Sequence, residues 1–413
     1  MTNAPRPFLG QVAWVSGGRI GGALIQALSV VLVLRLLDPG EFGLLSGVLS
    51  LATISQTAID MGVATFISRE RAARPDSGAI ATALRFNAIS SLALTGVVLT
   101  ALVVVWLASG NSIYLYMLPL AFWVSGERNA DARLSVVFAD GDAKINVINL
   151  LARRALSVIV FVVLAAVGVN PVLSFALGSA IAALSSSLFA NFYVRRRVTT
   201  PPSISYRELL RLSRAYWVHA VASQARNFDV ILVTTITGAT QAGFYSTASR
   251  LTNPLTLLTS SLASTLLPAA SRASAVSQSL RPLLRIATVV VGSMSAIYAV
   301  IYFAAPFLVT SVLPAEYADT TRVIQFVVAG LPFAAVASIL SSVMQGQGHK
   351  RFVASTSTLA TLTCLALIAV GSLNWGAIGA GAALSVTLCL QAVALCVGFL
   401  VLIRRSRREK KTE

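Results

Sequence analysis

Residues 37–72 read LDPGEFGLLSGVLSLATISQTAIDMGVATFISRERA. Asp38 and Glu41 mark a polar turn, a mostly apolar run occupies 42–66, and Arg69 and Arg71 close the stretch. A helix that crosses a bilayer needs about 20 largely apolar residues. Basic residues gather at the cytoplasmic end of such a helix. The stretch therefore reads as one membrane span running from outside to inside.

The chain around it repeats that pattern. It has 413 residues, of which 56% are hydrophobic and 11% charged, and its mean hydropathy is +0.79. Soluble domains carry about 25% charged residues, and disordered chains are poor in apolar ones, so both classes are excluded. Twelve spans are predicted, at 8–34, 42–66, 80–108, 113–138, 144–168, 171–194, 212–236, 242–267, 284–308, 321–345, 351–371 and 376–403. The expected fold is an all-α membrane protein of twelve transmembrane helices. The connections are short, and the longest, Arg195 to Arg211, holds Pro201-Pro202. No cleavable signal peptide is evident, and the first span is expected to act as an uncleaved anchor. Pro119, Pro254, Pro306 and Pro332 lie in or near spans, where they can kink helices.

The formal charge of +17 is mostly topology. Of the 32 Lys and Arg, 22 fall on one side: Arg6, then Arg69, Arg71 and Arg74, Lys144, a group from Arg195 to Arg214, Arg272 to Arg285, Lys350-Arg351, and the tail Arg404 to Lys411. Arg35 and Arg322 alone fall on the other. Both termini are thus placed in the cytoplasm, and the tail reads as an anionic-lipid contact. An internal echo supports the layout. Glu41-Phe42-Gly43-Leu44-Leu45-Ser46 opens the second span and Gln241-Ala242-Gly243-Phe244-Tyr245-Ser246 the eighth, offset by 200 residues. That offset spans six helices, so both copies face the same way, a parallel-repeat plan known in transporters. The expected division is 1–200, 201–403 and a basic tail at 404–413.

Eight arginines remain inside the spans: Arg19, Arg85, Arg128, Arg133, Arg153, Arg154, Arg226 and Arg250. Asp60, Glu127, Asp131 and Asp229 are the acids there. A charge at the bilayer centre costs at least about 2.5–3.5 kcal/mol, so these residues pair or face water. The surplus of cations calls for an anionic ligand. Arg153 shares a helix face with Asn149, and Arg19 with Gln26. Arg128 and Asp131 have the spacing of a local pair, as do Arg226 and Asp229; Asp229 is better placed than Asp60 for ion coupling, but pairing with Arg226 is its expected role. Arg85 and Arg133 are close enough to the inner surface to snorkel, Arg250 reads as an interfacial anchor, and Asp60 as a helix-end contact. The binding set is Arg19, Arg128, Arg153, Arg154, Asn149 and Gln26.

Other chemistry is poorly represented. Cys364, Cys389 and Cys396 lie in apolar runs, and His219 and His349 are the two histidines, so no metal site and no cofactor is expected. Asp140-Gly141-Asp142 matches the Asp-x-Asp of metal-dependent glycosyltransferases but sits in a short inner turn. No Walker A loop, GxSxG elbow or HExxH occurs, and no soluble domain presents a nucleic-acid face. An enzyme is not expected.

The run 37–72, with AGFYSTASRL, LLPAASR, APFLVTSVLPAEYADTTRVIQFVVAGLP and QGQGHKRF further on, resembles bacterial polysaccharide (Wzx-type) flippases. These belong to the multidrug/oligosaccharidyl-lipid/polysaccharide exporter superfamily. The resemblance implies two six-helix lobes around a central cavity and alternating access. It also implies an undecaprenyl-pyrophosphate-linked oligosaccharide as substrate, the bacterial inner membrane as location, and a coupling cation, H+ or Na+. The alternatives are a multidrug/cation antiporter, a lipid II flippase and, from another class, a membrane glycan polymerase or ligase. A cationic drug favours an acidic cavity, lipid II flippases usually carry two further helices, and polymerases usually carry a large outer loop. Reporter fusions check the layout: alkaline phosphatase is expected to be active when fused in the outer loops at 110 and 170, and a fluorescent protein to light up at the C-terminus. Phosphatase activity at Arg197 would overturn it.

Overall fold

The computed structural model describes the backbone of residues 8–275 and 281–412, with side chains described for most of these. Almost every described residue is helical, and no strand occurs among them. In chain order the helices are α1 (Phe8–Leu34), α2 (Pro39–Asp60), α3 (Val63–Ala73), α4 (Gly78–Ser109), α5 (Ile113–Tyr116), α6 (Leu120–Ala139), α7 (Ala143–Ala166), α8 (Pro171–Arg195), α9 (Tyr206–Gln224), α10 (Phe228–Thr237), α11 (Ala239–Ala275), α12 (Arg281–Val312), α13 (Thr320–Gly346) and α14 (Lys350–Thr412). Short 3₁₀ turns at Ala225–Asn227 and Ala315–Tyr317 precede α10 and α13. Among the described residues, 7 helices are long and apolar enough to cross a membrane.

The all-α membrane class is as expected, but the twelve spans are not twelve single helices. Span 42–66 is α2 plus α3, interrupted at Met61 (φ 49°) and Gly62 (φ 74°). Span 113–138 is the short α5 plus α6, and span 212–236 is α9, a 3₁₀ turn and α10. The last two spans lie within α14, which breaks at Trp375 and Gly376, the latter with φ 57°. A glycine takes that left-handed conformation without steric cost. The Gln241 side-chain oxygen then accepts from the Ala377 amide at 2.8 Å, capping the second half of the helix.

The chain forms two compact units. One holds residues up to Leu37 together with Leu45–Phe228, and the other holds Asp38–Leu44 and the residues from Asp229 onward. Within the first, α6 lies along α8 and α4, while α7 lies between α1 and α8. At Gly178 a Cβ would fall 2.7 Å from the Ser157 carbonyl oxygen, so the α8 backbone rests directly on α7. An apolar core joins α3, α4, α6, α8 and α9 through Phe66, Ile80, Val136, Val194 and Leu209. Helix starts are set by local sequence. Ser77 accepts from Ala79 N, Ser205 from Glu208 N, and Asn170 from Val172 N just before Pro171, satisfying amides that would otherwise lack partners.

Asp140-Gly141-Asp142 joins α6 to α7 as a turn held by ions. Asp140 pairs with Arg71 at 2.7 Å and Arg197 at 3.0 Å, and Asp142 with Arg197 at 2.8 Å. Partial burial works against the Arg197 charge, but its bonds to Asp142 and Asp140 prevail and hold it above its ordinary range. In the second unit α13 lies along α11 and α14, over a core of Val343, Met344, Val353, Leu395 and Phe399. Pro306 and Pro332 sit inside α12 and α13. Overpacking a tight crossing costs about 1–3 kcal/mol, so Gly178→Leu is expected to lower the midpoint of thermal unfolding in detergent, while a substitution at exposed Leu188 leaves it unchanged.

Candidate functional site

In the first unit, most of the charged residues within the spans are met by side chains or carbonyls of neighbouring helices. Glu127 and Asp131 stand four apart on α6 and therefore share a face. Both reach across to α7, where Arg153 meets Glu127 at 3.2 Å and Asp131 at 3.0 Å. The Arg153 side chain is only 9% exposed, whereas Asp131 is 56% exposed. The i,i+3 pairing of Arg128 with Asp131 is corrected by this geometry, because Asp131 is engaged by a different helix. Arg128 turns the other way. It donates to Ser91 Oγ at 3.1 Å and to the Ile59 carbonyl at 2.9 Å, with Asp60 at 3.9 Å.

Arg154, the next residue on α7, faces α1. Its Nη1 donates to the Gly22 carbonyl at 3.1 Å and to the Gln26 side-chain oxygen. Arg154 is thus tied to neutral groups, although the charges of Glu127 and Asp131 reach it. Asn149, one turn before Arg153, accepts from Ser186 Oγ at 2.6 Å and so links α7 to α8. Of the predicted set, the structure brings Arg154 and Gln26 together, while Arg153, Asn149 and Arg128 each meet other partners; Arg19 is in α1, but its side chain lies outside the described residues.

The remaining cations separate. Arg85 is exposed on the first part of α4, where snorkelling suffices. Arg133 does not merely snorkel. It donates to Asn191 at 3.2 Å and to the Asn129 side chain at 2.9 Å, and Asn87 also donates to Asn129 at 3.0 Å. Sequence reasoning missed these neutral partners, along with Ser91. Their signal was available, as each is a polar side chain inside an apolar run. In the second unit, Asp229 at the head of α10 is buried and accepts from Tyr245 O–H at 2.8 Å. Arg226 lies in the preceding 3₁₀ turn with its Nε buried.

Removing one partner of a buried ion pair is far costlier than replacing the whole pair. Arg153→Leu is therefore expected to destabilise the protein by on the order of 3 kcal/mol, mostly through Glu127, because the exposed Asp131 is screened by solvent. Adding Glu127→Gln and Asp131→Asn should restore most of that loss in thermal unfolding. An unrescued triple variant would show that packing, not charge, sets the cost.

The family model described as "Polysaccharide biosynthesis protein" matches residues 8–274. No curated protein matches the chain. Solved structures do, at low identity. An inward-facing multidrug resistance transporter of the MATE family and MOP superfamily is 16% identical with a TM-score of 0.70, covering 98% of this chain and 96% of its own. The lipid II flippase MurJ in an inward closed conformation is 13% identical with a TM-score of 0.73, over 93% and 87% of the two chains. A MOP superfamily transporter from Pyrococcus furiosus, described as having a binding pocket of reverse polarity, is 17% identical with a TM-score of 0.63, over 96% and 95%. At such identities the likeness is one of fold.

Proposed function

The chain belongs to the polysaccharide biosynthesis protein family and is a multi-pass membrane protein of transporter fold, and from that premise we propose that it flips an undecaprenyl-pyrophosphate-linked oligosaccharide from the inner to the outer leaflet. The reading places it in the bacterial inner membrane, with both termini in the cytoplasm and with alternating access as its cycle. A proton or Na+ gradient drives that cycle, and Asp229, held by Tyr245, is the acid we assign to coupling.

One observation carries the substrate class. The acids in the first unit's spans, Asp60, Glu127 and Asp131, already face Arg128 and Arg153. Arg133 and Arg154 hold neutral oxygens instead. A pyrophosphate supplies the missing negative charge and matches the planar fork of a guanidinium. A cationic drug would meet like charge there, which disfavours the antiporter reading. A lipid II flippase would share the pyrophosphate chemistry, so that alternative differs in the glycan and not in the anion. Arg154 is the primary contact, with Arg153, Arg128, Arg19, Asn149 and Gln26 around it.

A complementation assay for surface glycan tests this reading. Arg154→Glu with Arg19→Glu is expected to cut export at least tenfold at unchanged protein level, with Arg154→Lys intermediate because it keeps the charge and loses the fork. Full export by the double charge reversal would sink the proposal. Uptake of cationic dyes by proteoliposomes in place of glycan export would favour the antiporter.

A further inference from the structure

A second polar group lies away from the one proposed to meet substrate. Arg133 on α6 donates to the Asn191 side-chain oxygen on α8 at 3.2 Å and to the Asn129 side-chain oxygen at 2.9 Å, and Asn87 on α4 donates to the latter at 3.0 Å. An arginine can only donate, so it fixes both carboxamides with their oxygens towards it. The amide N–H groups of Asn129 and Asn191 are then turned away, and no acceptor for them occurs among the described residues. No ion pair of Arg133 occurs among those residues either, since the acids of the turn after α6, Asp140 and Asp142, are held by Arg71 and Arg197. The group is thus a surplus of donors around one cation. Asn129 is two residues from both Glu127 and Asp131, so at about 100° per residue it stands on the opposite side of α6 from the acids that meet Arg153.

That side faces the bilayer. Around Asn191, α8 exposes Leu184, Leu188 and Phe192, the last two by 70% and 63%. Helices α6 and α8 run in parallel. Gly126 rests on Leu184, and seven residues further along each helix Arg133 bonds Asn191. Earlier on both, Leu118, Pro119, Phe122, Ile181 and Leu184 line an apolar groove. From Ile181 to Asn191 is about 15 Å of helix, half the thickness of a hydrocarbon core. Arg195, exposed at the end of α8, follows Asn191 by four residues on the same face, about 6 Å further on. We infer that the seam between α6 and α8 holds one anionic phospholipid of the cytoplasmic leaflet, its phosphate between Arg133, Asn191 and Arg195 and an acyl chain in the groove. No water is present in hydrocarbon to accept from the free N–H groups, and a phosphate oxygen does so strongly. A zwitterionic lipid would bring its own cation beside the two arginines, which sets the preference for a net negative headgroup. The leaflet follows from the positive-inside layout; the contact depends neither on that nor on the substrate assigned to Arg154.

The test uses the full chain purified in detergent and mixed with palmitoyl-oleoyl phosphatidylglycerol or with phosphatidylcholine of the same chains, native mass spectrometry counting the lipids and the copies retained. One phosphatidylglycerol is expected to be held at least about fivefold more strongly than phosphatidylcholine, a preference that rests on charge. Asn191→Asp gives Arg133 a carboxylate at an exposed position. It is expected to cut phosphatidylglycerol retention by a similar factor while the midpoint of thermal unfolding without lipid stays unchanged. Leu184→Trp, which fills the groove, is expected to weaken the long-chain lipid and to leave its dioctanoyl analogue, whose chains stop short of the groove, unaffected. Equal retention of the two headgroups, or phosphatidylglycerol retention unmoved by Asn191→Asp, would overturn the site. So would retention lost on Arg154→Glu but kept on Asn191→Asp, which would put the lipid where the substrate is proposed to bind. A dimer that Asn191→Asp dissociates would make the seam a contact between copies and overturn it as well.

Discussion

Arg128 closes the end of α2. The last carbonyls of any helix lack intrahelical partners, and in hydrocarbon no water is present to replace them. α2 ends at Asp60, and its Ile59 carbonyl accepts from Arg128 at 2.9 Å, while the Ala58 carbonyl accepts from the Trp217 indole at 2.8 Å. Asp60, at 3.9 Å, answers the charge. With those groups satisfied, the chain can take positive φ at Met61 and Gly62 and begin again as α3. A Cβ at Gly62 would fall 2.6 Å from the Trp217 nitrogen, so α9 is seated on the break itself. An arginine that reads in the sequence as a ligand for the substrate is in the first place a cap.

How much of this is legible in the sequence depends on range. Apolar length, basic flanks and the turn at Asp140-Gly141-Asp142 are local and legible, and so, once looked for, are the caps Ser77, Asn170 and Ser205, which the span reading did not single out. Pairing between helices is not local. Asp131 stands three residues from Arg128 and twenty-two from Arg153, yet it bonds the latter, because rotation of α6 decides which helix its acids meet. Interruptions are legible only in part. Gly62 and Gly376 are visible as glycines, but nothing nearby separates them from the many glycines that sit in unbroken helix. The remaining site partners, Asn87, Asn129 and Asn191, carry no charge, and a count of charges passes over them.

The repeat is similarly uneven. Its starts at Pro39 and Ala239 are equivalent positions, and each carbonyl lies against the other copy's glycine, Gly243 and Gly43, yet the segments beyond those starts have diverged. α2 stops at Asp60, whereas the equivalent positions 260–262 run through α11 without a break. The 3₁₀ turn at Ala225–Asn227 has its counterpart at 25–27, which is continuous helix in α1. Gln26 is the equivalent of Arg226, and it binds Arg154. The duplicated frame thus supplies matching helices, and the polar residues set into it differ between copies.

Under the proposed function, that difference bears on where an anion would be held. Two unit charges 4 Å apart at an effective dielectric of 20 interact by about 4 kcal/mol. Arg153 already has two carboxylates within 3.2 Å, so a phosphate that approaches it must displace them or be repelled by them. Arg154 has a carbonyl and an amide oxygen, which yield to a phosphate at the cost of a neutral hydrogen bond, about 1 kcal/mol. The adjacent arginines on α7 therefore divide the work. Arg153 and its acids offset one another, which lowers the cost of holding those charges within a span, and under the proposed function Arg154 is a cation that a phosphate reaches without displacing a carboxylate.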